Sequence, residues 1–210
     1  MSKPKLTFHY PEQMGHIILL AMEEIIGPRG AKAIFTQIPT FSRIDNDPPR
    51  NRDLQFSFDV ISRLQSALEE TYGATAGRGV ALRIGRVCFK YGLREFGTQM
   101  GLTKMAFRLL PFPARLWEGG KSLAELFNRF TDQRVRIEER GGQILWHIER
   151  CPLCWGRQTE YPACYLAVGL LQESLYWLSG GKIFNVEETG CIAHGDPTCT
   201  IVIEQDPISW

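Results

Sequence analysis

The chain has 210 residues, enough to bury a substantial core without covalent staples, and its 44% apolar and 22% charged residues are ordinary globular values. A formal net charge of +1 supplies no field that would hold nucleic acid or an anionic membrane surface. The opening MSKPKLTFHYPEQ has no apolar stretch behind its lysines, and the greasiest run, HIILLAMEEII, is broken by Glu23 and Glu24 and too short to span a bilayer. These features predict a cytoplasmic protein with no transmembrane segment, whose six cysteines are reduced thiols or metal ligands rather than disulfides.

Residues 11 to 26 place Met14, Ile17, Ile18, Ala21, Met22, Ile25 and Ile26 on a wide helical stripe that GPRG stops; a short helix over AKAIFTQI follows. Residues 39 to 55 are polar and proline-rich and read as an exposed loop. From Ser57, a suitable N-cap, to Tyr72 a helix carries Val60, Ile61, Leu64 and Leu68 on one face. The next stretch keeps a helical period through Val80, Ile84, Val87, Cys88, Tyr91 and Leu93 despite its glycines. Gly85 and Gly92 lie on one side of it, where another element can approach closely. One or two further helices, interrupted at PFP, span residues 103 to 131 and carry many large apolar groups.

After Thr131 the period changes to alternation. Val135 and Ile137 precede a Gly-Gly turn, and Ile144, Trp146 and Ile148 follow it, a hairpin pattern. CPLCWGRQTEYPAC then forms a loop, Cys164 to Leu178 a helix ended by SGG, and KIFNVEETG with CTIVIE a second hairpin. Helices followed by hairpin, helix, hairpin predict an α+β fold in which N-terminal helices pack on an antiparallel sheet of two hairpins.

Five of the six cysteines fall between Cys151 and Cys199. In the second hairpin Phe184, Val186 and Glu188 share one strand face, and Cys199, Ile201 and Ile203 do so on the partner, so Glu188, Cys191 and Cys199 gather at its mouth. One further ligand would close a tetrahedral zinc shell. Cys164, opening the helix between the hairpins, gives one such set. Alternatively Cys151 and Cys154 form a CxxC knuckle that joins Cys191 and Cys199, the better-known zinc spacing. A redox pair at the CxxC and a group of inert buried thiols are the competing readings. His194, in the same loop, is a substitute ligand for Glu188. His16 lies in an apolar helix, where a partnered histidine is the simpler reading than an axial tetrapyrrole ligand. His147 alternates away from Trp146 and reads as a surface residue. Glu187 and Glu188 point to opposite strand faces and do not make an acid pair, and no nucleotide fingerprint or Ser-His-Asp pattern is present.

Cys164, Gly169, Glu188, Cys191, Gly195 and Cys199 together read C-x4-G…E-x2-C-x3-G-x3-C. This resembles the closing signature of the 4-vinyl reductase domain family, also described as hydrocarbon-binding proteins. That family is similar in fold to subunits of the TRAPP vesicle-tethering complex and to the sensory domain of phenol-responsive activators. The resemblance covers residues 144 to 204 well, residues 77 to 101 more weakly, and the first seventy only in being helical. It implies a TRAPP-subunit-like ligand-binding fold, commonly a homodimer, that encloses an apolar pocket. It also implies a structural zinc held by Cys164, Glu188, Cys191 and Cys199. The extra residue in SGGK and the additional Cys151–Cys154 pair depart from the pattern. Such a shell is saturated, leaving no open position for catalysis.

On this basis residues 1–56 are expected to form N-terminal helices and a loop used in dimerisation, and residues 57–210 the ligand-binding domain. Phe107, Phe112, Trp117 and Trp146 are the candidates for the pocket lining. The expected function is non-catalytic binding of a small hydrophobic molecule, a tetrapyrrole or chlorophyll precursor being one candidate class. The alternatives are a chlorophyllide vinyl reductase or its accessory factor, and an assembly adaptor.

Overall fold

In the computed structural model, which describes residues 7–38, 51–102 and 105–208, helices lie against a four-stranded antiparallel sheet. A short strand β1 (His9–Pro11) leads into helix α1 (Glu12–Phe35). The GPRG stop acts as expected: Gly27 takes φ 73° and ψ 159°, outside helical space, and the helix restarts from Pro28. Of the loop expected over 39–55, residues 39–50 lie outside the described residues. Leu54 and Gln55 belong instead to strand β2 (Leu54–Ser57), which pairs antiparallel with β1. Three- and four-residue strands are too short to show a period, so this small sheet was not legible in the sequence.

Helix α2 (Phe58–Tyr72) starts where expected, with the Ser57 hydroxyl accepting the Val60 N–H at 3.3 Å. A cap of this kind contributes about 1 kcal/mol. Helix α3 (Ala74–Phe96) is continuous through its glycines. The one-turn α4 (Met105–Arg108) and the longer α5 (Phe112–Phe130) are separated at Pro111, which cannot continue a helix. At the end of α5, the Asn128 side chain both donates to the Val135 carbonyl and accepts the Val135 N–H, each at 2.8 Å. These bonds tie the helix to the first hairpin strand.

That hairpin consists of β3 (Arg134–Arg140) and β4 (Gln143–Arg150), with Gly141 and Gly142 both at positive φ in the turn. Helix α6 (Tyr165–Ser179) ends on Gly180 in the left-handed region. The second hairpin is β5 (Phe184–Gly190) and β6 (Cys199–Pro207), joined through a single 3-10 turn at Ile192–His194. Sheet order is β3-β4-β6-β5, so the last strand is central and brings the two hairpins together. Because β4 is paired on both sides, His147 is not the surface residue its alternation suggested. Its side chain is 12% exposed and its Nδ1 lies 3.1 Å from the Thr200 hydroxyl. Burial, and then Arg136, lower its pKa below the ordinary imidazole value.

One contiguous core runs from α1 to β6. Trp155, just after Cys154, packs edge-on to Phe8 at 5.1 Å and to Phe58 at 6.1 Å, which joins the cysteine loop to the N-terminal elements. No helix among the described residues is long and apolar enough to cross a membrane.

Candidate metal centre and apolar cavity

All five clustered cysteines are buried and come together at one end of the sheet. Cys199 opens β6, between β4 and β5. Cys151 and Cys154 follow β4 on one side of it, and on the other Glu188 lies near the end of β5 and Cys191 directly after it. Cys164 is the N-cap residue of α6 and completes the group from the helix layer. The sulfur–sulfur distances are 3.5 Å for Cys151–Cys164, 3.4 Å for Cys154–Cys199, 3.7 Å for Cys164–Cys199, and 3.9 Å from Cys191 to each of Cys164 and Cys199. None is a disulfide. A tetrahedral ion with Zn–S bonds of about 2.3 Å requires sulfurs about 3.8 Å apart, so these spacings suit a metal.

Two ligand sets satisfy the geometry, each with all donor atoms within 4.8 Å of one another. They are Cys164, Glu188, Cys191 and Cys199, and Cys151, Cys154, Cys164 and Cys199. The first contains the residues named by the motif. The second is an all-cysteine knuckle, but with Cys164 where spacing alone suggested Cys191, because β6 and α6 come closer to the CxxC loop than the end of β5 does. His194 belongs to neither set; its Nδ1 faces Asp196 at 3.5 Å. Asp196, unmarked by sequence reasoning, shapes the loop instead by accepting the Cys191 N–H at 2.8 Å.

The Cys164 N–H donates to Glu188 Oε2 at 2.6 Å, at the positive end of α6. The other carboxylate oxygen, Oε1, is buried and has no hydrogen-bond partner. Burial pushes the Glu188 carboxyl up to about 8, the Cys191 sulfur acting in the same direction and the Cys164 N–H against it. The thiols share protons: hydrogen bonds from Cys151, Cys164, Cys191 and Cys199 drive Cys154 well below the ordinary thiol range. Cys164 and Cys199 are driven above it, chiefly by Cys151 and then Cys154. A cation in their midst would replace those shared protons.

Adjoining the cluster is an apolar cavity of about 80 Å³. Helix α1 contributes Met14, Ile17 and Ile18, α3 contributes Cys88, Phe89, Gly92, Leu93 and Phe96, and α5 contributes Leu123, Leu126 and Phe127. Trp146 and Ile148 of β4 and Leu166, Ala167, Leu170 and Leu171 of α6 close it, together with Met100 and Leu153. Its polar feature is the pair Tyr10 and Gln133, where the Tyr10 hydroxyl donates to Gln133 Oε1. Burial, followed by Cys151 and Cys88, raises the Tyr10 pKa well above the usual phenol value, so the hydroxyl stays protonated.

Of the four aromatics expected to line a ligand pocket, Trp146 borders this cavity, and Phe107, Phe112 and Trp117 lie away from it. Phe112 stacks on Phe184 at 6.0 Å, Lys121 sits 6.0 Å over the Trp117 ring, and Phe107 packs half-buried on the outside of the core. The cavity lies at the C-terminal half of α5, whereas Phe112 and Trp117 occupy its N-terminal half. Leu126 and Phe127, nine and ten residues beyond Trp117 in the same helix, border the cavity instead. Leu153 was also missed. Lying inside the CxxC loop, it connects the cysteine cluster to the cavity wall.

No protein-family model matches this chain, and no curated protein matches it. Among solved structures, the Fe(II) unliganded H-NOX protein from K. algicida is similar over 95% of this chain and 98% of its own, with a TM-score of 0.59 and 9% identity. An H-NOX protein from S. oneidensis in the Fe(II)NO state is similar over 92% of this chain and 99% of its own, with a TM-score of 0.55 and 11% identity. The phenol-responsive sensory domain of the transcription activator PoxR, with phenol, covers 70% of this chain and 73% of its own, with a TM-score of 0.51 and 21% identity. The chain therefore has a mixed α+β fold shared with H-NOX proteins and with a phenol-responsive sensory domain.

Proposed function

We propose that this protein is a non-catalytic binding domain that holds one small apolar ligand of single-ring size, in a cavity braced by a metal clasp. The observation that carries this reading is the cavity itself, whose lining is apolar except for the Tyr10–Gln133 pair and the Cys88 thiol. At about 80 Å³ it is smaller than the roughly 150 Å³ apolar cavity that binds benzene. The flexible Met14 and Met100 in its wall can yield the difference. A ligand hydroxyl would find its partners at Tyr10 and Gln133, which favours a phenol-like molecule, and the likeness to the phenol-responsive domain supports the same class.

Haem, suggested by the H-NOX neighbours, does not fit these residues. A ligand of that size needs a cavity in the 300–1,000 Å³ class, and no histidine among the described residues lines this one. The same volume argues against a chlorophyll precursor, and with it against the vinyl-reductase reading that accompanies the motif's resemblance.

The clasp, on our reading a structural zinc at Cys164, Glu188, Cys191 and Cys199, supports the cavity through the elements it joins. Leu166, Ala167, Leu170 and Leu171 follow Cys164 in α6, and Ile148 pairs with Cys199 across the sheet. Zinc suits a thiolate-rich tetrahedral set, and the donors leave no open coordination position. Calorimetric titration with phenol, benzene and haem tests the reading, with Trp146 fluorescence as a second signal. Saturable binding of phenol and none of haem is expected. Haem binding with no response to any single-ring compound overturns it. The homodimer implied by the motif's resemblance is tested by light scattering on the same sample.

A further inference from the structure

The cluster holds more donors than one ion can use. Five thiols and a carboxylate lie together, buried, yet a tetrahedral ion takes four ligands. The two possible sets are not rivals for all of their atoms: they share Cys164 and Cys199 and differ in the other pair. The sheet order separates those pairs, because Cys199 begins β6, which lies between β4 and β5; Cys151 and Cys154 follow β4 on one flank, and Glu188 near the end of β5 and Cys191 just after it lie on the other.

We propose that the cluster binds two zinc ions at once, one in each set, with the Cys164 and Cys199 thiolates bridging them. This rests on the reading that the cysteines hold metal, and extends it to a second site and a shared pair of ligands. The bridging sulfurs are 3.7 Å apart, close to the edge of a zinc–thiolate tetrahedron, and the Cys151, Cys154 and Cys191 sulfurs each lie 3.4–3.9 Å from a bridge. Glu188 is only 8% exposed, and its Oε1 has no hydrogen-bond partner while Oε2 is held by Cys164 N–H. A carboxylate oxygen of Glu188 lies within 4.8 Å of the Cys164, Cys191 and Cys199 sulfurs, within reach of an ion held by those three. A single ion at the knuckle would strand Glu188 and Cys191 in the interior without a cation. A single ion at the Glu188 set would strand Cys151 and Cys154 in the same way. Two divalent ions use every donor and leave the same formal charge as one ordinary tetrathiolate zinc.

Native mass spectrometry and elemental analysis of the full chain, purified with reductant and zinc, are expected to give two zinc ions per chain. In the protein reconstituted with ¹¹³Cd, two resonances are expected, one for an all-sulfur site and one for a site with an oxygen ligand. They should be split by cadmium–cadmium coupling through the bridging sulfurs. Cys151→Ser/Cys154→Ser should reduce the content from two ions to one, and so should Glu188→Gln/Cys191→Ser. If either variant fails to fold, the stoichiometry and coupling of the unaltered protein still decide the matter. One zinc per chain, or two cadmium signals without mutual coupling, overturns the bridged pair and leaves the metal-braced cavity standing. No metal, with the thiols paired as disulfides, overturns both.

Discussion

Gly85 of α3 and Gly169 of α6 each press against the other helix's backbone. A Cβ on Gly85 would lie 2.0 Å from the Leu166 carbonyl oxygen, and one on Gly169 would lie 1.9 Å from that of Leu82. The two helices can therefore approach to backbone contact, and this approach sets α6 where Cys164 meets the sheet and its apolar face closes the cavity. The motif's second position, Gly169, thus serves packing rather than chemistry.

Gly169→Ala should lower stability by about 2–3 kcal/mol, because the obstructing atom is backbone and cannot move aside. Gly92→Ala, where a Cβ meets nothing within 4 Å, should raise it by up to about 1 kcal/mol through helix propensity. Thermal melts of the two variants check the contrast; equal effects would contradict the packing described.

Gly92 also lines the cavity. Gly92→Leu should therefore leave the fold intact while weakening phenol binding tenfold or more, a loss of at least about 1.4 kcal/mol. Calorimetry measures it, and unchanged affinity would place the ligand elsewhere.

Tyr10→Phe removes the donor to Gln133 Oε1 in a buried setting, a loss of about 1–3 kcal/mol. A ligand hydroxyl can replace that donor. Phenol at saturating concentration should thus restore the melting temperature of the variant more than benzene does, by a wider margin than in the parent protein.

Cys199 belongs to both ligand sets, so Cys199→Ser should lose all bound metal, whereas Cys88→Ser should lose none. Cys88 lies in the cavity wall, and burial pushes its thiol up to about 12. Chelation of the parent protein should lower its melting temperature and weaken phenol binding together, because Leu153 and the start of α6 lose their anchor. Metal content and calorimetry on one sample test this.

His147 is held neutral by burial, with its folded pKa below 6.5. The unfolded chain then binds more protons just below that value, so stability falls as pH drops below 6.5 and is fully retained above it. His147→Gln should flatten this part of the stability profile, as read by denaturant melts at pH 5 and pH 7.

The hairpins, the Gly180 helix stop and the Ser57 cap were legible because each depends on neighbours in sequence. Alternation of Val135, Ile137, Ile144, Trp146 and Ile148 specifies a strand pair whatever surrounds it. The cavity was not legible in this way. Phe112 and Phe127 are alike in local pattern, and only the placement of α5 against β4 and α6 turns Phe127 toward the cavity and Phe112 toward Phe184.

The same division holds for the cysteine cluster. Strand alternation and a short loop leave Glu188, Cys191 and Cys199 nowhere to go but one hairpin mouth, so local pattern suffices to group them. Which further sulfurs join them depends on packing between elements. Placing β6 between β4 and β5, and seating α6 through Gly85 and Gly169, brings Cys164, Cys151 and Cys154 to within sulfur–sulfur contact of Cys199 or of one another. Those contacts span up to 45 residues of chain, and no local periodicity encodes a distance of that range.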